Sequence, residues 1–276
     1  MKPEKAYKNL DFLNSPPARH IRILCEYEEP RQRLMRHRIH HTVVFFGSAR
    51  TLPGDVATAR LEEAKEAAAA SPGDEALQAA LEKAHKMHRM SAYYDGAREL
   101  ARRVTAWSME RTQGRRYVIC SGGGPGIMEA ANRGASDVEG GKSVGLGISL
   151  PFEPGVNAYV TPELAFEFHY FFTRKYWFLY LCKALVIFPG GFGTLDELFE
   201  TLTLVQTQKI KKKLPIVLFG TDYWNRVFNL DAMAEYGTIS PDDIELVFRT
   251  DSVDEAFDYL TRELDDASGV KAAPEP

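Results

Sequence analysis

Five short apolar runs constrain the fold of this chain most, because each ends in a turn and helical patterns lie between them. They are residues 41–47 (HTVVFFG), 117–121 (YVICS), 143–149 (SVGLGIS), 184–188 (ALVIF) and 215–219 (PIVLF). β-Branched and aromatic residues fill them, and most show little polar alternation, the pattern of strands buried on both faces. Periodicity predicts helices over 93–111, 127–135, 194–210 and 223–236, and a last one over about 253–264. Strand alternating with helix predicts an α/β chain with a parallel sheet and helices on both sides. In such sheets ligands sit beyond the carboxyl ends of the strands.

Residues 52–90 differ from the rest. They are rich in Ala, Glu and Lys, and SPGD at 71–74 divides them, with Ser71 a cap and Pro72 a first-turn residue. This predicts a helical hairpin inserted after the first strand. The expected organisation is a helical N-terminal extension (1–40), a main domain (41–264) with the insertion at about 52–90, and a disordered tail (265–276). With 276 residues, 45% of them hydrophobic, the chain can bury one sizeable core.

Composition excludes several classes. A formal net charge of -4 gives no broad polycationic footprint for nucleic acid. The basic run Lys209 to Lys213 falls near a predicted helix end, where lysines suit the helix dipole and solvent. Cys25, Cys120 and Cys182 form no CxxC pair, which argues against a disulfide framework or a structural zinc site and fits a reducing cytoplasm. The start carries no secretory signal. The most apolar stretch, FHYFFTRKYWFLYLCKALVIFPGG, is interrupted by Arg174, Lys175 and Lys183, so no membrane span is expected. His37, His40 and His41, like His85 and His88, fall in charged stretches expected to be solvated.

Three small-residue turns carry the chemistry. FPGGFGTLDELFE (188–200) follows one strand, SGGGPGIMEAAN (121–132) a second, and FFGSAR (45–50) ends the first. Glycine lets the backbone approach a ligand closely, and a helix starting immediately afterwards aims its free N–H groups at the same place, which favours a phosphate. GGGPGI is not GxGxxG, because Ile127 replaces the last glycine counted from Gly122; EGGKS fails as a P-loop, because Ser136 replaces its first glycine. A nicotinamide dinucleotide and a P-loop triphosphate are therefore disfavoured.

Thr194-x-x-Glu197 matches a capping box, in which Glu197 would only tie down its own helix start. Against that, Leu195, Leu198, Leu202 and Val205 form one apolar stripe, and Thr194 and Glu197 lie beside it at the anion-binding end. A carboxylate next to a bound phosphate suggests chemistry at the sugar. Arg174 and Lys175 sit in a mostly aromatic helix, and a buried guanidinium needs a carboxylate or phosphate partner; a structural ion pair or a head reaching solvent is the plainer alternative.

PGGFGTLDE (189–197), with RK at 174–175 upstream, resembles the Lonely Guy (LOG) family of nucleoside 5′-monophosphate phosphoribohydrolases, historically mislabelled lysine decarboxylases. FGSAR, GGGPGIMEAANRGA (122–135) and ARHIRILCEYEEP resemble its long bacterial branch, and the resemblance covers roughly residues 15–260. It implies a Rossmann-like domain that forms a homodimer and hydrolyses the N-glycosidic bond of a nucleoside monophosphate to free base and ribose 5-phosphate. Arg174 and Glu197 take the family's catalytic positions. Gly190, Gly191, Gly193 and Thr194 would hold the 5′-phosphate, with Gly47, Ser48, Gly122, Gly123, Gly124, Met128 and Lys175 as further substrate contacts. No metal or organic cofactor is implied. The resemblance implies an AMP-like or a cytokinin riboside monophosphate substrate; GIMEAAN, standing where plant-type members carry GLMG, weighs against the cytokinin type and leaves ordinary purine or pyrimidine monophosphates open. The alternative is a non-catalytic carrier or sensor of a nucleotide or phosphorylated cofactor, as in LOG-like molybdenum-cofactor carriers, which has no need of the Arg174/Glu197 pair. A decarboxylase would need a Schiff-base lysine, for which no constellation stands out.

Overall fold

The computed structural model describes residues 3–150 and 155–268. Within them, β1 (Thr42–Phe46), β2 (Val118–Ser121), β3 (Ser143–Ile148), β4 (Ala165–Phe168), β5 (Cys182–Ile187), β6 (Ile216–Phe219) and β7 (Phe248–Thr250) form one sheet. Every pairing is parallel, in the order β4-β3-β2-β1-β5-β6-β7. The chain winds outward from β1 to β4, then crosses to β5 and winds the other way. The reversal falls between β1 and β5, where Phe46 pairs with Ile187. This is the Rossmann-like α/β architecture, and its switch point is where a crevice opens.

The helices are α1 (Leu10–Asn14), α2 (Arg19–Arg36), α3 (Gly54–Ala70), α4 (Glu75–Thr112), α5 (Ile127–Ser136), α6 (Phe171–Tyr180), α7 (Phe192–Gln206), α8 (Thr221–Val227), α9 (Leu230–Glu235) and α10 (Val253–Ser268). All five residues of β1 are buried, and alternate ones feed opposite layers. Val43 and Phe45 pack with Leu100 of α4, Ala130 of α5 and Leu260 of α10. Val44 and Phe46 pack with Phe178 of α6, Leu198 of α7 and Trp224 of α8. Each such side chain stabilises the fold by roughly 1.5–3 kcal/mol relative to exposure, which explains the unbroken apolar strands.

Several local expectations are corrected. The second arm of the hairpin and the helix predicted over 93–111 are one 38-residue helix, α4. Its cap is Asp74, which accepts from the amides of Ala76 and Leu77; Ser71 ends α3 instead. The helix predicted over 223–236 is two, α8 and α9, because Asn229 starts a new one by accepting from the Ala232 amide. Helix α7 ends at Gln206, so the lysine run follows it. Strands β4 and β7 were not predicted. Helix α10 continues to Ser268, four residues into the expected tail, and 269–276 lie outside the described residues. Among the described residues no helix is long and apolar enough to cross a membrane.

Candidate active site

The three turns meet at the β1/β5 reversal, stitched by backbone hydrogen bonds. The Ser48 amide donates to the Pro189 carbonyl (2.9 Å), and the Ile127 amide donates to the Ser48 carbonyl (3.1 Å). Gly47 lets this happen: a Cβ there would come within 2.7 Å of the Ile127 side chain. Gly126 takes a φ of 71° to start α5 against that first turn. Above the junction lies a cavity of about 590 Å³, a volume suited to a small organic ligand.

Helix α7 starts at Phe192 with Gly191 as its N-cap, and no side chain caps it. Its first-turn amides therefore open toward the cavity, with the positive end of the helix dipole behind them. Gly190, Gly191, Gly193 and Thr194 all line the space. The Tyr223 hydroxyl fixes this turn by donating to the Gly190 carbonyl (2.5 Å).

The helix start also releases Glu197 from the capping-box role. In a capping box Thr194 would precede the helix; here it lies inside the first turn, and Glu197 is a turn further on. The Glu197 side chain lines the cavity, the residue is 6% exposed, and Oε2 has no hydrogen-bond partner. Burial pushes its pKa up to about 7, against the pull of Lys175 and Arg174. The group is thus poised to hold or release a proton near neutrality.

Arg174, on α6, reaches the same cavity. Its Nε donates to the Leu146 carbonyl within β3 (2.7 Å), and its guanidinium lies over the Phe178 ring (5.0 Å to the centroid). A Cβ at Gly122 would come within 2.7 Å of Arg174 Nη2 and of Met128 Sδ, so glycine makes room for both. Gly47, Ser48, Gly122 and Met128 line the cavity as well.

Three expected contact residues do not line it. Lys175 forms ion pairs with Asp196 (2.8 Å) and Glu200 (3.0 Å), tying α6 to α7. Gly123 and Gly124 shape their turn from behind, their carbonyls accepting from Asn157 Nδ2 at 2.9 and 3.0 Å. Conversely, Arg50, Met90, Phe171, Asp196 and Tyr223 line the cavity without having been singled out as contacts. Phe171 was within reach of the sequence, being three residues before Arg174 on the same helical face. Met90 carried no signal. Among the described residues that line the cavity there is no lysine, so nothing there offers the Schiff-base amine of a decarboxylase.

Residues 128–260 match a protein-family model described as "Possible lysine decarboxylase". A protein of Oryza sativa subsp. japonica, named a probable cytokinin riboside 5′-monophosphate phosphoribohydrolase, is 28% identical over 182 residues, covering 62% of this chain and 76% of the relative.

Proposed function

We propose that this chain is a LOG-family enzyme, a reading supported by the family-model match over residues 128–260 and by the 28% identical relative, and that it hydrolyses the N-glycosidic bond of a nucleoside 5′-monophosphate, AMP-like or a cytokinin riboside monophosphate. The observation that carries this is Glu197: a buried carboxyl with an unpartnered oxygen, in a cavity that the uncapped N-terminus of its own helix, α7, also lines.

The 5′-phosphate binds the first-turn amides of α7, with Thr194 beside them. Two glycines support this assignment. A Cβ at Gly191 or Gly193 would meet no protein atom within 4 Å, and neither residue has a positive φ. Neither packing nor backbone conformation within the chain calls for glycine there, whereas a phosphate seated on the amides does. The ribose then lies toward Glu197. As the C1′–N bond breaks, positive charge builds on the sugar ring, and the Glu197 carboxylate stabilises it. Water attacks C1′ as the C1′–N bond breaks; one proton of that water passes to the Glu197 carboxylate and on to the departing base nitrogen, so free base and ribose 5-phosphate leave and Glu197 returns to its starting state. Arg174, held by Leu146 and Phe178, binds the substrate from the β3 side. The enzyme acts as a homodimer, which sedimentation of the wild type tests directly.

The decisive experiment measures base release from a panel of nucleoside monophosphates by the wild type and by Glu197→Gln. Release by the wild type, lost in a folded variant, is the expected result. Tight nucleotide binding without turnover across the panel would replace the hydrolase with the carrier or sensor.

A further inference from the structure

We infer that Glu26, on the N-terminal helix α2, is a positioning residue for Arg174; the inference rests on the reading of Arg174 as a substrate-binding side chain. Helix α6 places Phe171 and Arg174 in the cavity wall, yet its N-cap residue, Tyr170, supplies no cap. The cap comes from 144 residues upstream. The Glu26 carboxylate accepts from the amides of His169 (2.8 Å) and Tyr170 (3.3 Å) and from the Thr173 hydroxyl (2.5 Å). A carboxylate at a helix N-terminus is favoured by the orphan amides and by the dipole.

The same residue holds the next turn, because Trp177 Nε1 donates to the Glu26 carbonyl (2.8 Å). Two turns later on α2, Arg33 donates to the Ala165 carbonyl (2.8 Å) and covers the Phe166 ring (4.0 Å), fixing β4 just ahead of α6. Helix α2 therefore grips both the start of α6 and the strand that feeds it. Thr173 and Trp177 flank Arg174, whose Nε must stay within reach of the Leu146 carbonyl at 2.7 Å. Loosening the start of α6 by an ångström breaks that bond and misaims the guanidinium.

The test uses the full chain carrying Glu26→Gln, which keeps one acceptor oxygen but loses the charge and the second, and Glu26→Asp, which keeps the charge. The first readout is the NMR signal of the Arg174 Nε–H. Its exchange with water is expected to quicken at least about tenfold in Glu26→Gln, and less in Glu26→Asp. The second is base release from AMP in a double-mutant cycle. Glu26→Gln is expected to cost about 10- to 100-fold with Arg174 present and less than about twofold in an Arg174→Lys background. A merely structural role would reduce both backgrounds alike. An unchanged Arg174 signal in the folded variants, or equal losses in both backgrounds, overturns the inference. Should the wild type release no base at all, the hydrolase reading fails and the Arg174 signal alone decides. Should Glu26→Gln not fold, Glu26→Asp carries the same two readings.

Discussion

On the proposed reading, Glu197 trades stability for chemistry. Its pKa rises from 4.5 to about 7 because the folded chain buries it. Between those values the native state binds more protons than the unfolded one, so the residue lowers stability progressively as pH rises through the window, fully so above about 7. Glu197→Gln is therefore expected to match the wild type in stability near pH 4 and to exceed it by about 3 kcal/mol near pH 8, while base release drops by about 10²- to 10⁴-fold. Thermal melts at the two pH values read this; a gain that is constant with pH would mean that the amide merely packs better. Gly193 is expected to follow the same trade by another route. Gly193→Ala adds a methyl group to the first turn of α7 where no protein atom lies within 4 Å. It should leave the fold unharmed, or stabilise it by about 0.5 kcal/mol, yet weaken nucleoside monophosphate affinity roughly tenfold. Calorimetric titration beside a melt separates the two effects, and unchanged affinity would move the phosphate off α7.

At the scale of elements, the inserted hairpin is both an arm and a wall. Leu61 is 5% exposed on α3, which packs on α4. Leu61→Ala should cost about 2–3 kcal/mol, and the cost is expected to fall on α3 alone. Hydrogen exchange should then quicken across α3 while β1 and β5 keep their protection; uniform loss across the sheet would show that the hairpin folds as one unit with the domain. Sequence reading found the hairpin from its Ala, Glu and Lys content but placed its cap at Ser71, because Ser-Pro is a start signal and nothing local says that Asp74 wins. It also divided α4, since the composition changes near Ser91, where the helix leaves solvent and meets the sheet. The five central strands were legible because burial on both faces leaves them continuously apolar. Strand β4 (AFEF) hides in a longer aromatic stretch and alternates at the sheet edge, and β7 has only three residues. The glycine turns, Arg174 and Glu197 were legible because their chemistry is local. Met90 and Tyr223 were not, because only the packing of α4 and the course of the chain after β6 bring them to the cavity.

The whole molecule has two chemically opposed ends. The carboxyl ends of the strands hold the cavity and Glu197. At the other end, His41 precedes β1, beside Arg116 ahead of β2 and Lys183 in β5. The charged stretch around His41 predicts a solvated ring; instead it is half-buried, with Nδ1 unpartnered and its ring 5.7 Å from that of Tyr117. Burial, joined by the neighbouring cations, lowers its pKa from 6.5 to about 3. The unfolded chain takes a proton at about 6.5 and the folded one only near 3, so the stability His41 contributes is complete above 6.5 and is lost as pH falls through that window. His41 and Glu197 therefore act with opposite sign, and they can be separated by mutation because they occupy opposite ends of the sheet. His41→Phe keeps an aromatic ring against Tyr117 but cannot take a proton. Its urea midpoint is expected to fall less than that of the wild type between about pH 7.5 and about pH 4.5, with base release unchanged at neutrality. An identical fall in both proteins would place the acid sensitivity in another group. A loss of base release would couple the amino-terminal end of the sheet to the site, which nothing in the packing of His41 provides for.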